Sequence, residues 1–332
     1  MKGKPMSERK NSRLLQRGFT LLELVMVIAV MAIIASLGIA KYEDVKRKSA
    51  KKVNVANLQS ITRAVNTHLA SIDQTTGLFD NMESLLDVAT GGAWHGTPGQ
   101  YDWAKNSMTA IPGIYRGPKV ASDPSASLDA QRVNNQGITI DLANKLGVYY
   151  LTEADIEKMR NAGISTYLLH NYTTGQAADL GLTNPDLTVM ENGGPGTRAD
   201  MSAFYKVFLT NGSPVVILSP RNSQNVYKAF GCDLNLTIDQ MATMTDDQLF
   251  AADLVTTRLY CFGLGRTATF ARKALETVPR CELLGRDYYR NYFLVFKQTI
   301  SGATSDTITF AGVLDPQGKV ITDAQFDSDW GG

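Results

Sequence analysis

Glu23 is the one charge in the 22 residues from Phe19 to Ala40, which read FTLLELVMVIAVMAIIASLGIA. An ionised carboxylate among so many apolar side chains is costly and is kept where a partner offsets it. Glu23 is therefore the first candidate for chemistry, either as half of an ion pair or as an interfacial carboxylate reaching lipid headgroups. Asp315, Asp323, Asp327 and Asp329 crowd the last 18 residues with oxygen ligands of the kind calcium takes, though without EF-hand spacing. Solvated acids at a chain end are the plainer reading of them. His68, His95 and His170 are the only histidines, and none has a histidine or cysteine nearby at metal-ligand spacing. Nothing marks a nucleophile, so no enzyme is expected. Gly263-Leu264-Gly265-Arg266-Thr267-Ala268 fits the G-x-G-x-x-A dinucleotide pattern. Only 64 residues follow it, too few for a nucleotide fold, so a glycine turn beside a packed strand is expected.

The elements that must position these residues begin with the apolar run. At about 1.5 Å per residue it is about 33 Å long as a helix, enough to cross a hydrocarbon core of about 30 Å. A buried helix of a soluble core rarely stays apolar all round for that length. Residues 1–18 carry six basic side chains against one acid, and Lys41, Lys46, Arg47, Lys48, Lys51 and Lys52 flank the other end, so charge does not settle orientation. Three membrane readings stay open on hydropathy alone. One is a secretory signal cut after Gly38-Ile39-Ala40, the second a plain signal anchor, and the third a span that keeps Glu23 for a partner.

Arg17-Gly18-Phe19-Thr20-Leu21-Leu22-Glu23, followed by the apolar run, resembles the class III signal of type IV pilins and type II secretion pseudopilins. The resemblance covers roughly residues 13–72 and is most specific over Gly18–Glu23. It implies that a membrane prepilin peptidase cuts after Gly18 and that Phe19 becomes an N-methylated first residue. It also implies that the subunit sits in the inner membrane with a single pass, its leader in the cytoplasm and its head in the periplasm or outside the cell. Subunits would then stack into a homo- or hetero-filament on an inner-membrane assembly platform, the Glu23 carboxylate of one meeting the Phe19 ammonium of another. Export of the head would place Cys232, Cys261 and Cys281 in an oxidising compartment, where one disulfide among the three is expected, with three buried thiols as the alternative. The family's calcium sites near the C-terminus add interest to the four aspartates; no other cofactor is implied.

Beyond the span, no Gly or Pro falls between Lys41 and Thr76, while Leu58, Ile61, Val65, Leu69 and Ile72 recur at helical spacing. The sequence thus divides into a cleaved basic leader (1–18), the transmembrane half of a long helix (19–40), its amphipathic half (41–72) and an α+β head (73–332). The basic stretch from Lys41 is read as a solvated face, with attraction to anionic headgroups as the alternative. In the head, Thr152 to Gly163 reads as a capped helix and Thr245 with Gln248 as a second capping box. Asn211-Gly212 predicts a hairpin joining Phe204–Leu209 to Val215–Leu218. Tyr288–Ile300, Thr307–Leu314 and, after a turn at Asp315–Gly318, Lys319–Thr322 read as strands of an antiparallel sheet. Residues 90–126 and 171–200 read as long loops.

Composition bounds the function. The whole chain carries 33 Lys+Arg against 32 Asp+Glu, and without residues 1–18 the balance is 27 against 31. Nucleic acid is not an expected partner of so neutral a protein. The reading that follows is a structural pseudopilin. The alternatives are a minor pilin whose large head serves adhesion or DNA uptake, and a membrane-anchored hydrolase.

Overall fold

The computed structural model describes residues 20–71, 77–87, 96–103, 113–114, 142, 145–170, 187–190, 203–232, 234, 236–284, 290–300 and 307–324. The chain divides into two compact units, Met1–Lys48 and Ser49–Gly332.

One helix, α1 (Leu21–Ser71), runs without a break through Gly38, as a stretch free of proline and rich in straight-chain residues dictates. In the first unit every described side chain from Thr20 to Lys48 is exposed. In the second unit the same helix turns amphipathic, and Leu58, Ile61 and Val65 are wholly buried. Leu69 packs against the core from its margin, and Ile72, the last residue of the expected stripe, lies outside the described residues.

The described strands are β1 (Met82–Asp87), β2 (Tyr101–Asp102), β3 (Gly113–Ile114), β4 (Leu146–Tyr150), β5 (Thr166–His170), β6 (Leu187–Met190), β7 (Ala203–Phe208), β8 (Pro214–Leu218), β9 (Thr257–Gly263), β10 (Phe293–Thr299) and β11 (Ile308–Leu314). They form one sheet whose main path is β2-β4-β8-β9-β1-β5-β7-β6, with β10 and β11 branching from β9 and β3 from β1. Pairing is antiparallel except between β1 and β5, so the expected α+β head with a mostly antiparallel sheet is present. Short helices decorate it: α2 (Glu153–Asn161), α3 (Gln224–Ala229), α4 (Ile238–Thr243), α5 (Asp246–Ala251) and α6 (Thr269–Ala274). Both expected capping boxes are made, Thr152 with Asp155 and Thr245 with Gln248, and Thr237 with Gln240 makes a third.

Two expectations are corrected. Asn211-Gly212 does form a turn, with Gly212 at φ 81°, but β7 and β8 do not pair across it. β7 pairs with β5 and β8 with β4, and the turn itself is tied to the end of β4: Gly212 N–H donates to Leu151 O at 2.8 Å and Leu151 N–H to Ser213 O at 2.9 Å. Turn chemistry is local, whereas strand partners are chosen by burial; β4 and β8 are each buried along their whole length, on both faces of the sheet. Likewise Lys319–Thr322 is not a strand. Residues 321–324 form a helical turn after the Asp315–Gly318 turn, and Val320 and Ala324 are buried.

Candidate functional site

Thr20 and Glu23 open α1 with a reciprocal capping box. Glu23 N–H donates to Thr20 Oγ1 at 3.3 Å, while Glu23 Oε2 accepts from Thr20 N–H at 2.9 Å and from its hydroxyl at 3.0 Å. Two of the donors that a helix start leaves orphaned are thus satisfied by the only carboxylate in the apolar run. The T-x-x-E spacing that signals this is legible in the sequence. The carboxylate is exposed, as are its neighbours from Leu21 (82%) to Ile34 (63%). Among the described residues α1 is the one helix long and apolar enough to cross a membrane, and nothing covers its most apolar stretch. Gly18 and Phe19, the expected processing residues, lie outside the described residues.

In the second unit, α1 is held by a polar clamp that sequence reasoning did not foresee. Asn54, buried on the helix, donates from Nδ2 to Asp315 Oδ2 at 2.8 Å and accepts from the Tyr292 hydroxyl at 2.8 Å. Asn57, one turn on, donates to the same hydroxyl at 3.1 Å. Asp315 Oδ1 accepts from the N–H groups of Gln317 and Lys319, each at 2.9 Å, and so shapes the turn after β11. Burial pushes the Asp315 carboxyl above its ordinary value, against the bonds from Lys319, Asn54 and Gln317 that favour its charged form.

That geometry bears on the calcium candidates. Asp315 spends both oxygens on protein donors, and it acts as a staple between turn and helix. Asp323 sits half-buried in the following helical turn, and Asp327 and Asp329 lie outside the described residues. No group of three or more His, Cys, Asp or Glu side chains among the described residues is placed to hold a metal.

The structure also places the three cysteines. Cys232, Cys261 and Cys281 are three buried thiols with no disulfide among them. They belong to separate elements: Cys232 follows α3, Cys261 lies within β9, and Cys281 sits in the connection between α6 and β10. Burial pushes the Cys281 thiol up to about 11 and Cys261 higher still. Such thiols are poor nucleophiles at neutral pH.

The glycine motif is a packing device. Gly263 pairs with Glu83 across β9 and β1, and a Cβ at Gly265 would overlap Glu83 Oε1. Glu83 is buried, and Asn291 Nδ2 donates to its two oxygens at 3.2 and 3.3 Å. Gly265 is thus a glycine because a carboxylate occupies the space of its side chain. Of the histidines, His68 packs edge-on to Phe270 with ring centroids 6.0 Å apart, and its buried Nε2 has no hydrogen-bond partner among the described residues. His95 lies outside the described residues and His170 belongs to β5.

The richest buried polar network lies elsewhere in the head. Asp155 Oδ2 accepts from the Tyr149 hydroxyl at 2.7 Å and from the Thr152 hydroxyl at 2.6 Å, while Oδ1 accepts from Gln298 Nε2 at 3.0 Å and lies 3.6 Å from Arg258. Tyr260 donates to Gln298, and Arg258 lies over the Tyr149 ring at 4.1 Å and donates to Tyr101. The network ties α2 to β4, β9 and β10. It acts as a brace between these elements.

The comparisons with known proteins bear on the other end of the chain. The family model described as the prokaryotic N-terminal methylation motif matches residues 13–39, the stretch that holds Gly18, Phe19, the capping box and most of the apolar run. No curated protein and no solved structure matches the chain. The N-terminus therefore carries a type IV pilin-like class III signal, and that signal supports a pilin-like subunit anchored by its first helix.

Proposed function

We propose that this protein is a pseudopilin, a structural subunit of a type II secretion pseudopilus or of a related type IV pilus-like filament. The observation that carries the reading is the methylation motif over residues 13–39, joined to a helix whose apolar stretch is wholly exposed. Prepilin peptidase cuts between Gly18 and Phe19, and the mature subunit resides in the inner membrane with its head on the exported side. Assembly then packs the apolar helices together. The Glu23 carboxylate, already oriented by Thr20, meets the Phe19 ammonium of a neighbour, and each cancels a charge that lipid would otherwise isolate. The filament's work is mechanical and needs no catalytic centre in this chain.

The size of the second unit, Ser49–Gly332, favours one alternative, a minor pilin that uses its head to bind surfaces or DNA. Intact mass and N-terminal sequencing of protein from the membrane test the shared premise. N-methylated Phe19 is the expected first residue, and a chain starting at Lys41 would make the segment an ordinary secretory signal. Deleting the gene separates the two systems: loss of secreted enzymes supports the pseudopilin, and loss of adhesion or DNA uptake supports the minor pilin.

A further inference from the structure

The apolar run of α1 ends against Lys41, Lys46, Arg47 and Lys48, whose side chains are all exposed, with Glu43 and Asp44 among them. Lys48 spends its charge locally, with Nζ 3.1 Å from Asp44 Oδ2. Of the other basic residues here, Lys41, Lys46 and Arg47 lie nearest the span, ahead of Lys51 and Lys52. We propose that these three form a collar that binds anionic phospholipid headgroups in the leaflet at the Ala40 end of the span. This rests on the membrane reading above and adds a lipid partner to it.

Three observations carry the proposal. The first is depth. At about 1.5 Å per residue, Lys41 lies at the edge of the hydrocarbon and Arg47 about 10 Å beyond Ala40. The headgroup layer is roughly 5–8 Å thick on each side, and long basic side chains reach back toward it. The second is angle. At about 100° per residue the three positions fall at roughly 0°, 140° and 240° around the helix axis, close to an even spread. A protein neighbour approaches from one side and selects a stripe, whereas a headgroup layer surrounds a spanning helix and selects a ring. The third is asymmetry. Cleavage after Gly18 would remove all six basic residues of the leader, so the mature subunit would keep its side-chain cations at one end of the span only. The collar would then hold the subunit at its depth and in its orientation until assembly draws it out.

The test uses the full mature chain reconstituted in phosphatidylcholine vesicles containing a minority of phosphatidylglycerol. Spin-labelled versions of the two lipids report which one the protein retains at its boundary. Each basic residue near an anionic surface is worth about fivefold in association, so phosphatidylglycerol should be enriched severalfold. The preference should fall to parity in the variant Lys41→Gln/Lys46→Gln/Arg47→Gln. It should also fade at about 1 M salt, where the screening length is about 3 Å. Equal retention of both lipids by the native chain, or a preference that the triple variant keeps, overturns the collar. So does a variant that loses filaments while its lipid preference stays unchanged, because the charges would then serve a neighbouring subunit. A native chain that alkaline washing strips from the vesicles overturns the membrane span itself, which distinguishes failure of the underlying reading from failure of the collar.

Discussion

Glu23 has two partners to serve, and substitution can tell them apart. In a single subunit its carboxylate closes the Thr20 capping box; in the proposed filament it also meets a neighbour's Phe19 ammonium. Glu23→Ala removes both roles, and stranding a buried cation costs about 3–5 kcal/mol at every contact. Mature protein should move from the sheared filament fraction to the membrane fraction while cleavage persists. Thr20→Ala removes the cap alone, worth about 0.5–2 kcal/mol, and keeps the charge, so filament yield should fall much less. Equal yields from the two variants would make Glu23 a capping residue only. Asp155 poses a different residue-scale question, one of pH. Burial raises its carboxyl, but the bonds from Thr152, Gln298 and Tyr149 outweigh this and hold it below its ordinary value of 3.8. A native value below the unfolded one means that the unfolded chain takes up the proton first. The stabilisation is therefore complete above the ordinary value and is lost as pH falls through the native one. Asp155→Asn should cost about 1.5–3 kcal/mol at neutral pH, read as a lower melting temperature in detergent. The gap to the native chain should close below pH 3.8, and a gap constant with pH would mean that the charge is not what stabilises. Asp315, raised rather than lowered, titrates with the opposite sign and cancels in this comparison.

At the scale of the element, α1 is one helix in two environments. Its exposed apolar part needs lipid or sister helices, and its second part is seated by Leu58, Ile61 and Val65 together with the Asn54–Asp315–Tyr292 clamp. Leu58→Ala should cost about 2–5 kcal/mol as a cavity opens in the core. Asn54→Leu is similar in size yet leaves the Asp315 carboxylate and the Tyr292 hydroxyl each short of a buried partner, at about 1–3 kcal/mol apiece. Thermal melts of the three chains check this: Asn54→Leu should melt well below the native chain, and a melt indistinguishable from native would mean that packing alone seats the helix. The Asp155 network is the head's counterpart to this clamp, since both use one carboxylate to join elements far apart in sequence. Oriented polar groups of this kind select one packing among several that would bury similar apolar area.

For the whole molecule, the cysteines make the sharpest forecast. A head stapled by a disulfide would resist unfolding until reduced, whereas this head holds three buried thiols. A maleimide reagent should label almost none of the three in the native chain at neutral pH and all three after denaturation without reductant. A cross-linked peptide pair in a non-reducing map would overturn this. The sheet suffices without a staple because it buries a continuous core that includes Tyr167, Tyr260, Phe262, Phe293 and Phe296. A unit of this size removes enough surface from water to stand on apolar burial.

The sequence by itself determined what depends on neighbours along the chain. The span, the helical continuation to Leu69, the caps at Thr152 and Thr245, and the turn at Asn211-Gly212 are all set by periodicity or by side chains three or four residues apart. The methylation motif over residues 13–39 belongs to the same class, because it is a linear segment. Only the tertiary structure decided which strands pair across those turns, why Gly265 must lack a side chain, and that Asn54, Asp155 and Asp315 each serve partners more than a hundred residues away. A buried polar group must find its partner wherever the fold brings one, and sequence spacing carries no record of that meeting.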